Sequence, residues 1–232
     1  MRIGVFDSGI GGLTVLKKIM KKYPNNEYIY YGDTKNMPFG DKSIDELKII
    51  SSNIIEFLIA RKVDIIVIAC GTISSNLLHY LKRKYSIPIY DIISGIVNYL
   101  NNSNYENISV LCTEQTKDSK IFETKIYRKV KVIPCRSLAN LIEDNNTKEI
   151  ESYIKNITNE LEDSDVVVLG CTHYPLISNI IKKYINIPIL DMADYLDINI
   201  KKNSINKLEM FFSSDTEKNI KKAKKIIKVD TF

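Results

Sequence analysis

Short runs rich in Ile, Val and Tyr alternate along the chain with longer stretches in which apolar residues recur every three or four positions. The short runs at 2–6, 27–31, 64–69, 108–111, 130–133, 166–169 and 187–190 predict β-strands. The longer stretches at 12–22, 43–61, 75–84, 147–161 and 175–184 predict amphipathic helices. Strand and helix in alternation imply parallel sheets flanked by helices, an α/β fold. No low-complexity linker divides the chain, and the polar run at 101–104 reads as an exposed loop.

Within this pattern lies an internal repeat. The segment DIIVIACGT at 64–72 matches DVVVLGCTH at 165–173, and KYSIPIYD at 84–91 matches KYINIPILD at 183–191 after a one-residue gap. Upstream, IGVFDS at 3–8 echoes ISVLCT at 108–113. Each half therefore carries a strand ending in a hydroxyl residue and, further on, a strand ending in cysteine. Two like halves related by a pseudo-twofold would turn these strand ends toward each other, with Cys70 and Cys171 on opposite walls of one cleft.

Composition narrows the chemistry. The 232 residues are 44% hydrophobic and 26% charged, an ordinary globular balance. A chain of that length buries roughly 70–75% of its unfolded surface. The longest strongly apolar run, 63–70, contains Asp64 and is too short to span a bilayer. The N-terminal residues carry no secretory core, so a cytoplasmic protein is expected. The net charge of +5 comes from Lys, with only five Arg, and no nucleic-acid signature accompanies it. Lys218, Lys221, Lys222, Lys224, Lys225 and Lys228 cluster near the C-terminus and read as a solvated helix face. Cys70, Cys112, Cys135 and Cys171 form no Cys-x-x-Cys pair, and His79 and His173 are the only histidines. No metal site is implied, and disulfides are disfavoured. Cys112 and Cys135 read as packing residues.

In open parallel sheets ligands bind beyond the carboxyl ends of the strands, where both Cys70 and Cys171 fall. Each precedes a predicted helix, whose N-terminus would favour the thiolate and lower the thiol pKa toward neutrality. Thr72, Ser74, Ser75, Thr172 and His173 add hydrogen-bonding groups. Two facing acid/base groups suit inversion of a carbon stereocentre, one thiolate removing a proton and the opposite thiol returning one.

The motifs DSGIGGLTV at 7–15, YGDT at 31–34, PFG at 38–40, CGT at 70–72 and GCTHYPL at 170–176 resemble those of glutamate racemase, and FFSSD at 211–215 resembles a late motif of that family. The resemblance implies a pair of pseudo-symmetric α/β domains, here 1–92 plus 203–232 and 93–202, with the site between them. It implies interconversion of L- and D-glutamate without a cofactor, supplying D-glutamate to peptidoglycan synthesis and so to cell wall and cell shape. It also implies a homodimer. Carried over by position, Cys70 acts on D-glutamate and Cys171 on L-glutamate. Asp7, Ser8, Phe39, Gly40, Gly71, Thr72, Thr172 and His173 fall on substrate-binding positions, and Asp7 and His173 on residues that assist the thiols. Glu143 matches a third assisting position, although its own context reads as a solvated helix residue. Thr113 and Thr116 lie in a stretch similar to a carboxylate-binding loop. Asp7 also reads as a cap of the following helix. This chain departs from the family with Gly71 in place of Asn, Phe39 in place of Tyr, and Ser94-Gly95-Ile96 in place of a Glu-Pro segment.

Three other readings stand beside this one. A racemase for another amino acid, aspartate first, would share the fold. A dinucleotide-dependent oxidoreductase would use Gly9-Ile10-Gly11 and Asp33, although Thr14 takes the third glycine position. An amino-acid-binding regulatory protein would keep the site and lose turnover.

Overall fold

The computed structural model describes residues 1–200, 205 and 207–227. The first half runs β1 (Arg2–Asp7), α1 (Gly12–Lys22), β2 (Glu27–Gly32), α2 (Ile44–Ala60), β3 (Ile65–Ile68), α3 (Gly71–Lys84), β4 (Ile89–Asp91) and α4 (Ile92–Asn101). The second runs β5 (Asn107–Cys112), α5 (Glu114–Asp118), α6 (Ile121–Lys125), β6 (Lys129–Pro134), α7 (Leu138–Glu143), α8 (Thr147–Ile157), β7 (Val166–Leu169), α9 (Ser178–Tyr184) and β8 (Ile189–Asp191). The chain then returns with β9 (Lys207–Phe212) and α10 (Thr216–Ile227).

Two all-parallel sheets result, with strand orders β4-β3-β1-β2-β9 and β6-β5-β7-β8. Read from the opposite edge, the second is β8-β7-β5-β6 and repeats the first strand for strand, with β9 as the addition. The repeat in the sequence is thus a repeat of topology. It extends to side chains. The Asp64 carboxylate accepts from the Arg2 amide, as Asp165 accepts from those of Glu106 and Asn107. Asp91 caps α4 through the amides of Ile93 and Ser94, and Asp191 does the same for the amide of Ala193.

The inner strands are covered on both faces, which explains why β3 and β7 are wholly apolar, whereas edge strand β6 alternates exposed Lys129 and Lys131 with Val130 and Val132. Ile65 and Val67 turn to a central core, while Ile66 and Ile68 turn to one under α2 and α3. Likewise Val166 and Val168 face the central core, and Val167 and Leu169 a core under α8 and α9. The central core draws residues from both sheets and from α1, α4 and α10, so the two halves share one buried apolar layer. Where α4 crosses the 3-10 turn Met192–Tyr195, a Cβ on Gly95 would lie only 2.0 Å from the Tyr195 carbonyl oxygen.

All seven expected strands form, with β8 starting two residues later than its apolar run. Two strands escape sequence patterning: three-residue β4, too short to show a period, and β9, which reads as a motif rather than an element. The helix expected from 75 begins at Gly71, directly after Cys70. The helix expected over 175–184 is a 3-10 turn, Tyr174–Ile177, followed by α9. Of the C-terminal lysines, Lys228 lies outside the described residues. No helix among the described residues is long and apolar enough to cross a membrane.

Candidate active site

The carboxyl ends of β1, β3, β5 and β7 converge on one pocket. Ser8, the segment Met37 to Gly40, Cys70, Gly71 and Thr72 line it from the first half. Thr113, Ala139 and the segment Gly170 to His173 line it from the second. Cys70 and Cys171 are both buried, each at the equivalent strand end of its half, and both reach this cavity. Pro38 and Gly170 line it from motifs already quoted without having been named as site residues, while Met37 and Ala139 lie outside every motif. Both are apolar and carry no chemical signature to find them by.

The two thiols differ in their surroundings. Cys70 is the N-cap of α3, and the amides of Ile73 and Thr72 favour its thiolate. Burial outweighs them, reinforced by the negative charge of Asp7, and pushes the Cys70 thiol well above its ordinary value. The expected fall toward neutrality is therefore corrected for this residue: a helix N-terminus contributes partial charge, whereas full desolvation acts on the whole thiolate. Because a raised pKa leaves less thiolate at any given pH, iodoacetamide should label Cys70 more slowly than a free thiol at pH 7. Its rate should keep rising beyond pH 9, read by peptide mass spectrometry across a pH series. Cys171 precedes a 3-10 turn rather than an α-helix, so the helix-terminus argument does not reach it.

What Cys171 has instead is an imidazole. His173 Nδ1 lies 3.7 Å from its sulfur, and Nε2 lies 3.0 Å from Glu143 Oε1. Burial lowers the pKa of His173, but hydrogen bonds to Cys171 and Glu143 and the charge of Asp7 reverse this and raise it well above the ordinary value. Glu143 is buried too, and its carboxyl sits below the usual range because His173, the Ile10 amide and Lys222 outweigh its desolvation. The sequence reading of Glu143 as a solvated helix residue is thus overturned. Its place at the end of α7, turned toward the first half, is set by packing across the cleft, which local sequence does not encode.

Asp7 ends β1 fully buried. Its Oδ2 accepts from the Gly12 amide, the first of α1, at 2.7 Å, although Gly11 holds the N-cap position, and Thr172 Oγ1 stands 3.4 Å from the same oxygen. Burial raises its pKa against the opposing pull of His173. With Asp7 and Glu143 holding the amides of Gly12 and Ile10, the loop has no open cradle for a pyrophosphate. Asp33, the supposed ribose ligand, is buried against Asn36 and Ser213. Both findings remove the dinucleotide reading.

Across the cleft, Thr72 Oγ1 and Thr113 Oγ1 are 3.0 Å apart, and Thr113 bonds Thr116 at 3.0 Å. Thr116 is fully buried and reaches the cavity only through Thr113. Phe39 is buried with its ring in the core under α2 and α3, and Gly40 lets Thr113 approach to 3.1 Å of where a Cβ would stand. Gly71 and Gly170 bring the two walls together: a Cβ at 71 would meet the Gly170 carbonyl oxygen at 2.6 Å. At 71, therefore, the opposite wall stands too near for a side chain unless the Gly170 carbonyl shifts.

The family model described as Asp/Glu/Hydantoin racemase matches residues 11–196. A glutamate racemase of Fusobacterium nucleatum is 38% identical, over 83% of this chain and 76% of its own. Among solved structures, a glutamate racemase isoform of Bacillus anthracis superposes with TM-score 0.91 at 28% identity, covering 98% of this chain and 94% of its own. The glutamate racemase of Francisella tularensis, solved in complex with D-glutamate, gives 0.85 at 27% identity over 98% and 94%. The paired sheets, the cleft between them and a family match that takes in both cysteines lead to one conclusion: this chain belongs to the Asp/Glu/Hydantoin racemase family.

Proposed function

We propose that the protein is a glutamate racemase in which Cys70 and Cys171 exchange protons with opposite faces of the α-carbon. The observation that carries this reading is that the two thiols, one from each copy of the repeat, line a single cavity. From L-glutamate, the Cys171 thiolate takes the α-proton and the Cys70 thiol delivers its own to the other face, leaving D-glutamate, a Cys171 thiol and a Cys70 thiolate. The reverse direction exchanges the roles. A Cys70 held firmly as the thiol suits the first direction, while Asp7, with its own proton affinity raised, suits recovery of that proton afterwards. The hydroxyls of Ser8, Thr72, Thr113 and Thr172 and the amides opening α3 are the groups available to hold the substrate carboxylates and the charge that builds on the carbanion.

Glutamate is preferred to aspartate because the relatives that match over most of the chain are glutamate racemases. The same reading divides the chain into 1–92 plus 203–232 and 93–202, supported by the pairing of β9 with β2. It places the product in peptidoglycan synthesis and the protein in the cytoplasm as a homodimer, the last checked by light scattering. Proton NMR in deuterium oxide with L-glutamate, and separately L-aspartate, tests the activity. Loss of the glutamate α-proton signal with D-glutamate appearing on a chiral column is the expected result. Exchange with aspartate alone would move the assignment to that substrate, and binding without exchange would make the protein a regulatory binder.

Gly71 offers a second test. Replacing it by Asn restores the family's side-chain amide but drives a Cβ into the Gly170 carbonyl. Gly71→Asn is expected to lower kcat/KM by about tenfold, the result of on the order of 1.4 kcal/mol of misfit.

A further inference from the structure

The Glu143 carboxylate is held from two sides. Oε1 accepts from the Ile10 amide at 3.1 Å and faces His173 Nε2, while Oε2 lies 3.2 Å from Lys222 Nζ. Lys222 Nζ also donates to the Glu143 main-chain carbonyl at 2.8 Å, so one ammonium clamps both ends of the residue. Lys222 belongs to α10, which follows β9 and packs on α1, whereas Glu143 closes α7 of the second half. A run of contacts thus leads from a lysine on the last helix through Glu143 and His173 to the Cys171 sulfur. Behind Glu143 opens a separate surface cleft, lined by Asp144, Lys218, Asp215 and Lys222, which gives the clamp an outer side open to solvent.

We infer that Lys222 is a positioning residue for Cys171, holding the Glu143 carboxylate in the orientation that fixes His173 against the thiol. The inference rests on the racemase reading for its consequence in catalysis, and on geometry alone for the contact chain. Charge explains the choice of residue: a carboxylate with little access to water needs a counter-charge to stay ionised, and an ionised Glu143 holds the His173 N–H toward itself. The groups facing the imidazole are Cys171 from its own segment, Asp7 from β1 and Glu143 from α7. Those acting on Glu143 are Lys222 and His173, with the Tyr30 phenol feeling its charge from β2. Lys222 is the cation among them that comes from the C-terminal helix. The reading of the lysine cluster as a solvated face therefore fails at Lys222, whose side chain is 23% exposed.

The test compares Lys222→Met, Lys222→Gln and Lys222→Arg in the full chain by the rate of iodoacetamide labelling of Cys171 and Cys70, resolved by peptide mass spectrometry without substrate from pH 6 to 9. Loss of the charge releases Glu143 and with it the hold on His173, and should slow Cys171 labelling at pH 7 by about tenfold in both Met and Gln variants. Cys70 labelling should stay within about twofold, and Arg should restore Cys171. The acidic limb of kcat/KM should move to higher pH with Met and Gln and return with Arg. An unchanged Cys171 profile in the Met variant, or equal behaviour of Gln and wild type, would overturn the inference. Equal damage by Met and Arg would do the same. A Met variant that unfolds leaves the Gln and Arg pair to decide. Labelling needs no turnover, so failure of the racemase assay with wild type would count against the proposed function and not against the clamp.

Discussion

Cys70→Ser and Cys171→Ser should each lower kcat for glutamate racemisation by about 10²–10⁴-fold, the range for losing a positioned acid/base group. A serine hydroxyl fills the same space, so cavity and fold survive, but its proton is held far too tightly for it to replace a thiolate. Because L- and D-glutamate have equal free energies, kcat/KM must fall by the same factor in both directions whichever thiol is removed. The two variants separate in another way. Each retains one thiol, and the one that can still reach its own enantiomer should exchange that α-proton with solvent without inverting it. By position, Cys70→Ser is expected to exchange L-glutamate slowly and Cys171→Ser D-glutamate, each read by proton NMR in deuterium oxide beside chiral chromatography. Full racemase activity in either variant would sink the two-thiol mechanism.

Gly95→Ala should produce the largest loss of stability from a single methyl group. The added Cβ would lie 2.0 Å from the Tyr195 carbonyl oxygen, a main-chain atom that cannot swing aside as a side chain does. Alanine gains up to about 1 kcal/mol over glycine inside a helix. That is too little to offset separation of α4 from the turn it crosses, where Ile92, Ile93, Ile96, Met192 and Ala193 are buried together in the central core. A net loss of about 3 kcal/mol is expected, or roughly 6–12 °C in Tm for a chain of this size. Circular dichroism melting checks it. A Tm equal to wild type would mean that α4 and the turn at 192–195 yield at this crossing without disturbing the central core. The position is one where this chain carries Ser94-Gly95-Ile96 instead of the family's Glu-Pro, and the steric need explains the glycine.

Much of this protein is legible in the chain itself. Apolar runs too short to be helices, each followed by a stretch of helical period, specify parallel sheets because a strand buried on both faces needs no polar alternation. The repeat of DIIVIACGT as DVVVLGCTH carries more, since two like strand ends with like cysteines imply two like half-sheets and facing thiols. The parallel sheets and their common strand order follow from both, because local sequence predicts local structure and symmetry supplies the long-range step. Where symmetry is silent, so is the sequence. β9 is recruited to the edge of the first sheet by pairing with β2, a partner far away in the chain. Glu143 reads as a surface residue on a polar stretch and becomes the hub joining Ile10, His173 and Lys222, because α7 is docked across the cleft. Cys70 sits at a helix N-terminus as expected, yet its proton is held tightly, because desolvation depends on how completely the other half covers the site. Local sequence thus determined seven of the strands, the helices α1, α2, α3, α8 and α9, and the repeat that sets Cys70 and Cys171 at equivalent strand ends. Burial, charge pairing and the approach of one wall to the other were decided by tertiary structure, since each depends on atoms that are distant in the chain and adjacent only once it has folded.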